Sequence, residues 1–257
     1  MPKWTAFPYP GAYNYDATLV REHWGRLHRG DAEPLPTERN LLEAWALFHN
    51  GEFQRATEAG LKAGSAGITL ANKSMCIYAT YLEKREKTRL DLYQEVAQRA
   101  QAQAALEPQN PNAYYWQAYS LGRYSQGISV AKALAQGLGG KVKQSLEHAI
   151  KLCPKHADAH IGLAAFHAEV IDKVGSLIGG MTYGAKKDTG LALFREALKL
   201  NPGSAIAMME HANGMVMLEG DKKMKDATKL YEQAAACKAL DAMERLDVEM
   251  AKAELEY

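Results

Sequence analysis

Cysteine is scarce in this 257-residue chain, with Cys76, Cys153 and Cys237 far apart and in no CxxC pair. That scatter argues against a disulfide framework and against a zinc cluster. Net charge is almost absent too. Lys and Arg number 31 against 30 Asp and Glu, without the basic excess of a dedicated nucleic-acid binder. No uncharged apolar run approaches the roughly 18 residues that a membrane span needs. The longest candidate, around Ile171 to Met181, is broken by Asp172, Lys173 and three glycines. The first ten residues lack the apolar core of a secretory signal. Together these absences lead to the expectation of a cytoplasmic protein with free thiols. An apolar share of 47% excludes a disordered chain.

Proline is rare except at the start, where Pro2, Pro8, Pro10, Pro34 and Pro36 supply five of the nine. Trp4, Phe7, Tyr9, Tyr13 and Tyr15 crowd the same stretch. This pattern predicts an extended aromatic arm over residues 1–36, packed either on the chain's own apolar surface or on a partner. Within it, Asp16 is placed to cap a short helix with Leu19, Val20, His23, Trp24 and Leu27 on one face.

From Thr37 onward, Ala-, Leu-, Glu- and Lys-rich blocks alternate with short Gly, Asn and Pro breaks, and two-residue alternation never persists. The class is all-α. Aligning Pro108, Pro154 and Pro202, which stand 46 and 48 residues apart, exposes a repeat. Leu106, Leu152 and Leu200 precede the prolines by two. Ala113, Ala159 and Ala207 follow by five, and Ala118, Ala164 and Ala212 by ten. Ala149 and Ala197 precede the last two prolines by five, where the first unit has Gln103. Proline stops one helix, and small residues let the next lie close against its neighbours. Helical hairpins of this kind stack to bury the face each leaves exposed.

At these residues the chain resembles the tetratricopeptide repeat family, most clearly in Leu146–Pro154, Phe194–Pro202 and Asn50–Ala56. The resemblance spans roughly residues 38–238. It implies a right-handed α-solenoid of about five hairpins, occupying residues 37–239, with a capping helix at 240–257. Asp241 would be that helix's N-cap, with Leu246, Met250 and Ala253 inward and an acidic outer face. Such repeats usually run about 34 residues, so roughly 12–14 extra residues fall between helices, around 125–141 and 170–188. The stretch from Glu169 to Ala253 is similar also to proteins related to regulators of microtubule dynamics and to helical subunits accompanying bacterial substrate-binding transporters.

Catalytic constellations fail one by one. Gly137–Val142 lacks the first glycine and the Ser or Thr of a phosphate loop, so it reads as a connection between helices. His156, His160 and His167 have helical spacing but no HExxH glutamate, and they read as structural. No Gly-x-Ser-x-Gly elbow is present. No cofactor and no metal is implied.

In tetratricopeptide arrays the first helix of each hairpin lines a groove that binds peptides. Carried over by alignment, this makes Tyr115, Tyr119, Arg123, Glu169 and Asn213 candidate contacts, alongside Asn112, Asp158, Ile161, Ala165, Met209 and Met217, and the polar run Arg123–Gly127 adds Gln126. Tyr and Arg are strong anchors and Met adapts. An internal Arg123–Glu169 pair is the structural alternative. The insert at 175–188 adds Tyr183, Lys186 and Lys187, as a lid over the groove or a plain surface connection. The expected role is a non-catalytic scaffold for a protein or peptide partner, without nucleic acid or a membrane span. Apolar repeat surfaces leave room for a homo-oligomer. The alternative is a binder of a small or lipid-like ligand among Met181, Met208, Met209, Met215 and Met217.

Overall fold

The computed structural model describes residues 3–256, and among these every regular element is a helix. The chain divides into two compact units. The first takes the chain up to His28, then Glu33–Leu152 and Leu240–Met243. The second takes Arg29–Ala32, Cys153–Ala239 and the chain from Glu244 on.

The first unit begins with the arm. Trp4 stacks on Tyr78 at 4.1 Å, and its backbone N–H donates to Gln54 Oε1 at 2.9 Å. Phe7 meets the edge of Phe53. Both arm rings are buried against their own chain. Helix α1 (Ala17–Leu27) starts at Asp16, whose carboxylate accepts from the Thr18 and Leu19 amides. Val20, Trp24 and Leu27 form its buried face, while Leu19 and His23, expected on that face, are exposed.

Then come α2 (Arg39–His49), α3 (Phe53–Lys62), α4 (Ile68–Tyr81), α5 (Glu86–Leu106) and α6 (Pro111–Gln126), each packed on its predecessor from α1 to α6. A β-carbon at Gly60 would stand 2.7 Å from the Gly67 carbonyl oxygen, so only glycine lets α3 and the turn before α4 approach this closely. The short α7 (Val130–Ala135) and α8 (Leu138–Leu152) complete the unit, α8 lying on α6. Gly137, at φ +63°, is the link between them. The glycines after it are helical and not the expected connection.

Ala113 and Ala118 of α6 and Ala149 of α8 are all within 1% of complete burial, as the repeat requires. Leu106 departs from it. At 81% exposed, it contributes nothing to a core.

The second unit is built from α9 (Ala157–Tyr183), α10 (Lys187–Leu200), α11 (Ala205–Glu219), α12 (Met224–Ala235) and the greater part of α13 (Ala242–Leu255). Ala164 and Ala168 close on Phe194 and Leu218 in one cluster. Ala205, Met209, Ala234, Val248 and Ala251 form another. The long insert is helix, since α9 runs on to Tyr183 through a break at Gly175, whose φ of +81° glycine tolerates.

The terminal helix differs from expectation at two points. Asp241 does precede it, but its carboxylate lies 2.7 Å from His49 Nδ1, both groups buried. Asp247 is buried as well, so two of the six acids are taken from the supposed outer face. Leu246, Val248 and Ala251 are buried and Met250 packs partly buried beside Val248 and Ala251 as expected, whereas Ala253 is exposed.

The end of α4 carries the arm's anchor. Tyr78 donates its hydroxyl to Glu83 Oε2 at 3.0 Å, and Arg85 holds the same carboxylate through its guanidinium and its backbone N–H. These Arg85 bonds, opposed by burial, hold Glu83 down at about 2. A folded-state value below the unfolded one stabilises above the unfolded value and is lost as pH falls. Wild-type stability should therefore drop by on the order of 2 kcal/mol between about pH 5 and pH 2 through this group. Denaturant titrations of Glu83→Gln across that range should show a correspondingly shallower decline. An identical decline would show that Glu83 contributes nothing to it.

Candidate functional site

Three helices of the first unit share one polar tier. Thr80 at the end of α4 meets Tyr93 Oη of α5 at 2.9 Å and Tyr119 Oη of α6 at 2.8 Å. One hydroxyl satisfies both phenols because it gives one proton and offers two lone pairs. Arg123, one turn beyond Tyr119, lays its guanidinium over that ring at 5.4 Å and donates to Gln126 Oε1 at 3.3 Å.

A second tier runs alongside. Gln103 donates to Thr69 Oγ1 at 3.0 Å and accepts from Asn72, while Arg99 Nε donates to Asn72 Oδ1 at 2.7 Å. Arg99 also pairs with Glu95 at 2.9 Å. This tier explains why the repeat has Gln103 where other units have alanine. The longer side chain joins α4 to α5 by hydrogen bonds where Ala149 and Ala197 serve close packing.

Burial dominates the electrostatics here. It pushes the Tyr93 and Tyr119 phenols up, with Arg123 pulling both the other way. Burial also raises the Cys76 thiol, against the opposing pull of Arg99 and Arg123. Both guanidiniums thus act on the same small volume, and neither hydroxyl nor thiol is placed as an activated nucleophile.

The candidate residues separate into distinct environments. Tyr115 is only 7% exposed and packs on Trp116 and Tyr119, so it is wall and not groove surface. Asn112 is fully buried and donates to Glu33 Oε2 at 2.6 Å. Tyr119 is half-buried with its hydroxyl turned to Thr80. Arg123 is half-buried and Gln126 exposed. The alignment placed Asn112, Tyr115, Tyr119 and Arg123 on one helix face, but helical spacing alone did not reveal that the Tyr119 hydroxyl is committed inward to Thr80.

The second unit's candidates each have a local partner. Glu169 accepts from Lys173 at 3.4 Å, Tyr183 sets its ring edge-on to Phe166, and Asn213 Oδ1 accepts from the Tyr231 hydroxyl. Lys187 pairs with Glu219 at 3.2 Å. Ile161 and Met209 are core. The methionines do not gather around one cavity, because Met209 and Met215 are buried while Met181 is 82% exposed. His156 caps α9 through Nδ1, and His167 Nδ1 accepts the Lys186 amide. Among the described residues, no three of His, Cys, Asp and Glu gather as a metal ion would require. Among those residues too, no helix is long and apolar enough to cross a membrane.

Among solved structures the chain is similar to TTC0263, a thermophilic TPR protein of Thermus thermophilus. The two share 15% identity with a TM-score of 0.58, over 83% of this chain and 97% of that one. The fold is tetratricopeptide-like. A human IFIT1 dimer with PPP-AAAA aligns at 14% identity and a TM-score of 0.43, over 93% of this chain and 60% of that one. No family model and no curated protein matches the sequence.

The tetratricopeptide-like packing makes thiol access a direct check on the polar tiers. Cys76 has no exposed surface, whereas Cys153 and Cys237 are half-buried. A colorimetric thiol assay should find Cys153 and Cys237 reactive in the native protein and Cys76 only after unfolding. Rapid native labelling of Cys76, located by mass spectrometry, would mean that the α4–α5–α6 contact opens readily.

Proposed function

We propose that the chain is a non-catalytic interaction module whose α4–α5–α6 face in the first unit receives a segment of a partner protein. The observation that carries this is the ordered row Thr80–Tyr93–Tyr119–Arg123, which crosses three helices and ends at the exposed Gln126. Polar side chains held in place before binding lose little further entropy when a ligand arrives. The stacked Arg123 presents a planar fork suited to a carboxylate. An acidic, extended segment is the partner chemistry this row fits. Tyr115 and Tyr119 support the wall, while Arg123 and Gln126 meet the ligand.

Glu169 and Asn213 are proposed as contacts of the second unit only through their place in the repeat, and Tyr183 only through its place in the insert. A cytoplasmic location is part of this proposal, in keeping with three cysteines that stand far apart in the sequence.

The test is affinity capture from the source cell with wild type, Arg123→Ala and Arg123→Glu. Circular dichroism should be unchanged, because Arg123 stands at the end of α6 and closes no core. Captured partners should fall at least fivefold with Arg123→Ala and vanish with Arg123→Glu, since removing a charge-assisted hydrogen bond costs about 1.5–3 kcal/mol. Equal capture by all three would move the binding face away from α6.

A further inference from the structure

The two inserts, around 125–141 and 170–188, fall at the same place in consecutive repeats, and both turn apolar side chains outward. Among the described residues, five of the eleven exposed large apolar side chains lie in them, so the exposure follows the inserts and not the repeat. Leu177, Ile178 and Met181 form a ridge near the end of α9. Its turn is built before any ligand arrives. Gly175, at φ +81°, sets it off from the rest of the helix. Gly179 packs beneath it, where a β-carbon would stand 3.0 Å from Val170 Cγ1 and 3.6 Å from Ala185 Cβ. The Gly184 amide donates to the Gly180 carbonyl at 3.0 Å, and the Ala185 amide to that of Gly179 at 3.1 Å, which closes the helix end.

Length, size and charge decide what covers this ridge. Residues 174–185 are a run of 12 without a charge, with Lys173 and Lys186 at its ends. An apolar run of about 10–14 residues is too short to span a bilayer and serves a core helix or an interfacial segment. The exposure of all three large side chains excludes the core. Three side chains also fall well short of the roughly 800 Å² per partner that a stable pair of copies needs.

The first insert supplies the charge. No Asp or Glu occurs from Pro108 to Leu146, while Lys132 and Lys141 are exposed and make no ion pair among the described residues. Val130 and Leu134 of α7, each half exposed, stand on either side of Lys132 in the sequence. Lysines among exposed apolar side chains suit an anionic bilayer surface, where the stems lie in the interface and the ammonium groups meet phosphate. In the second insert Asp172 and Asp188 offset the flanking lysines, so its part is apolar.

We infer that the end of α9 inserts Leu177, Ile178 and Met181 into the interface of an anionic lipid bilayer, and that the lysines of the first insert are drawn to the same kind of surface. Three apolar side chains and two lysines give reversible binding, no tighter than that of one acyl chain, with a constant on the order of 10⁴ M⁻¹. Neither Arg123 nor Gln126 takes part, so this reading and the α6 peptide face can fail separately.

The test is flotation of the full chain with phosphatidylcholine vesicles, with and without phosphatidylserine. Binding should be stronger with phosphatidylserine. Serine at Leu177, Ile178 and Met181 together should weaken it at least fivefold with circular dichroism unchanged, whereas Met224→Ser, an exposed apolar residue outside the inserts, should not. Lys132→Glu with Lys141→Glu should abolish the preference for phosphatidylserine. Depth is read with brominated phosphatidylcholine in the same vesicles. The four native tryptophans are buried and should stay bright, while the added fluorescence of Leu177→Trp should be quenched. No flotation, wild-type flotation of the triple variant, equal loss with Met224→Ser, a preference that survives the lysine changes or an unquenched Leu177→Trp would each overturn the assignment. A concentration-dependent dimer that the triple variant loses, without flotation of the wild type, would give the ridge to a second copy instead.

Discussion

Helices that carry alanine at their crossing points can approach until backbones nearly touch, and the rest of this molecule follows from that approach. Ala113, Ala118 and Ala149 in the first unit, and Ala159, Ala164, Ala197, Ala207 and Ala212 in the second, have lost all but about 1% of their surface. A larger side chain at any of them would force its neighbours off their rotamers. The large residues, Phe194 above all, then fill the wider spaces between crossings. Where a repeat position breaks the rule, another force has replaced packing. Gln103 is the instance, held by Thr69 and Asn72 in a hydrogen-bonded tier.

Polar side chains between close helices are costly unless every group finds a partner. The two polar tiers of the first unit meet that condition by sharing, although Ser74 Oγ and the Trp116 indole N–H of the same unit are buried without a hydrogen-bond partner. Thr80 serves two phenols, and Asn72 serves both Gln103 and Arg99. The same sharing appears at Lys73, which is 2% exposed and has the Phe48 and Trp45 rings about its ammonium at 5.1 and 5.8 Å. Such networks fix side-chain positions more than they add stability. Fixed positions are what a recognition surface needs, and it is at the edge of such a network that Arg123 and Gln126 meet solvent.

The helical class and the alanine register were legible in the sequence because both rest on local spacing, and spacing is a property of the chain alone. The capping role of Asp16 was legible for the same reason. Partners distant in sequence were not. Asp241 reads locally as an N-cap, yet its carboxylate is buried against His49, 192 residues earlier. Tyr115 and Asn112 read as groove residues because alignment reports which face a position occupies, not whether a neighbouring helix already covers it. The arm fell between these cases. Its aromatics announced burial, but only the stacking of Trp4 on Tyr78 shows that the surface it covers belongs to the same chain.

The extra length of the repeats shows how the same surplus can be absorbed in two ways. Between α6 and α8 it forms a separate short helix, because Gly127 and Gly137 interrupt the backbone on either side of residues 130–135. In α9 the surplus continues the helix past Gly175 to the left-handed turn at Gly184. That extension leaves Leu177, Ile178 and Met181 at 75%, 58% and 82% exposure, although Gly179 beneath them is buried against Val170 and Ala185. A helix turn with a packed glycine below and three large apolar side chains above is anchored on one side only. Packing of Gly179 from below fixes the backbone of this turn, so its apolar side chains point largely outward.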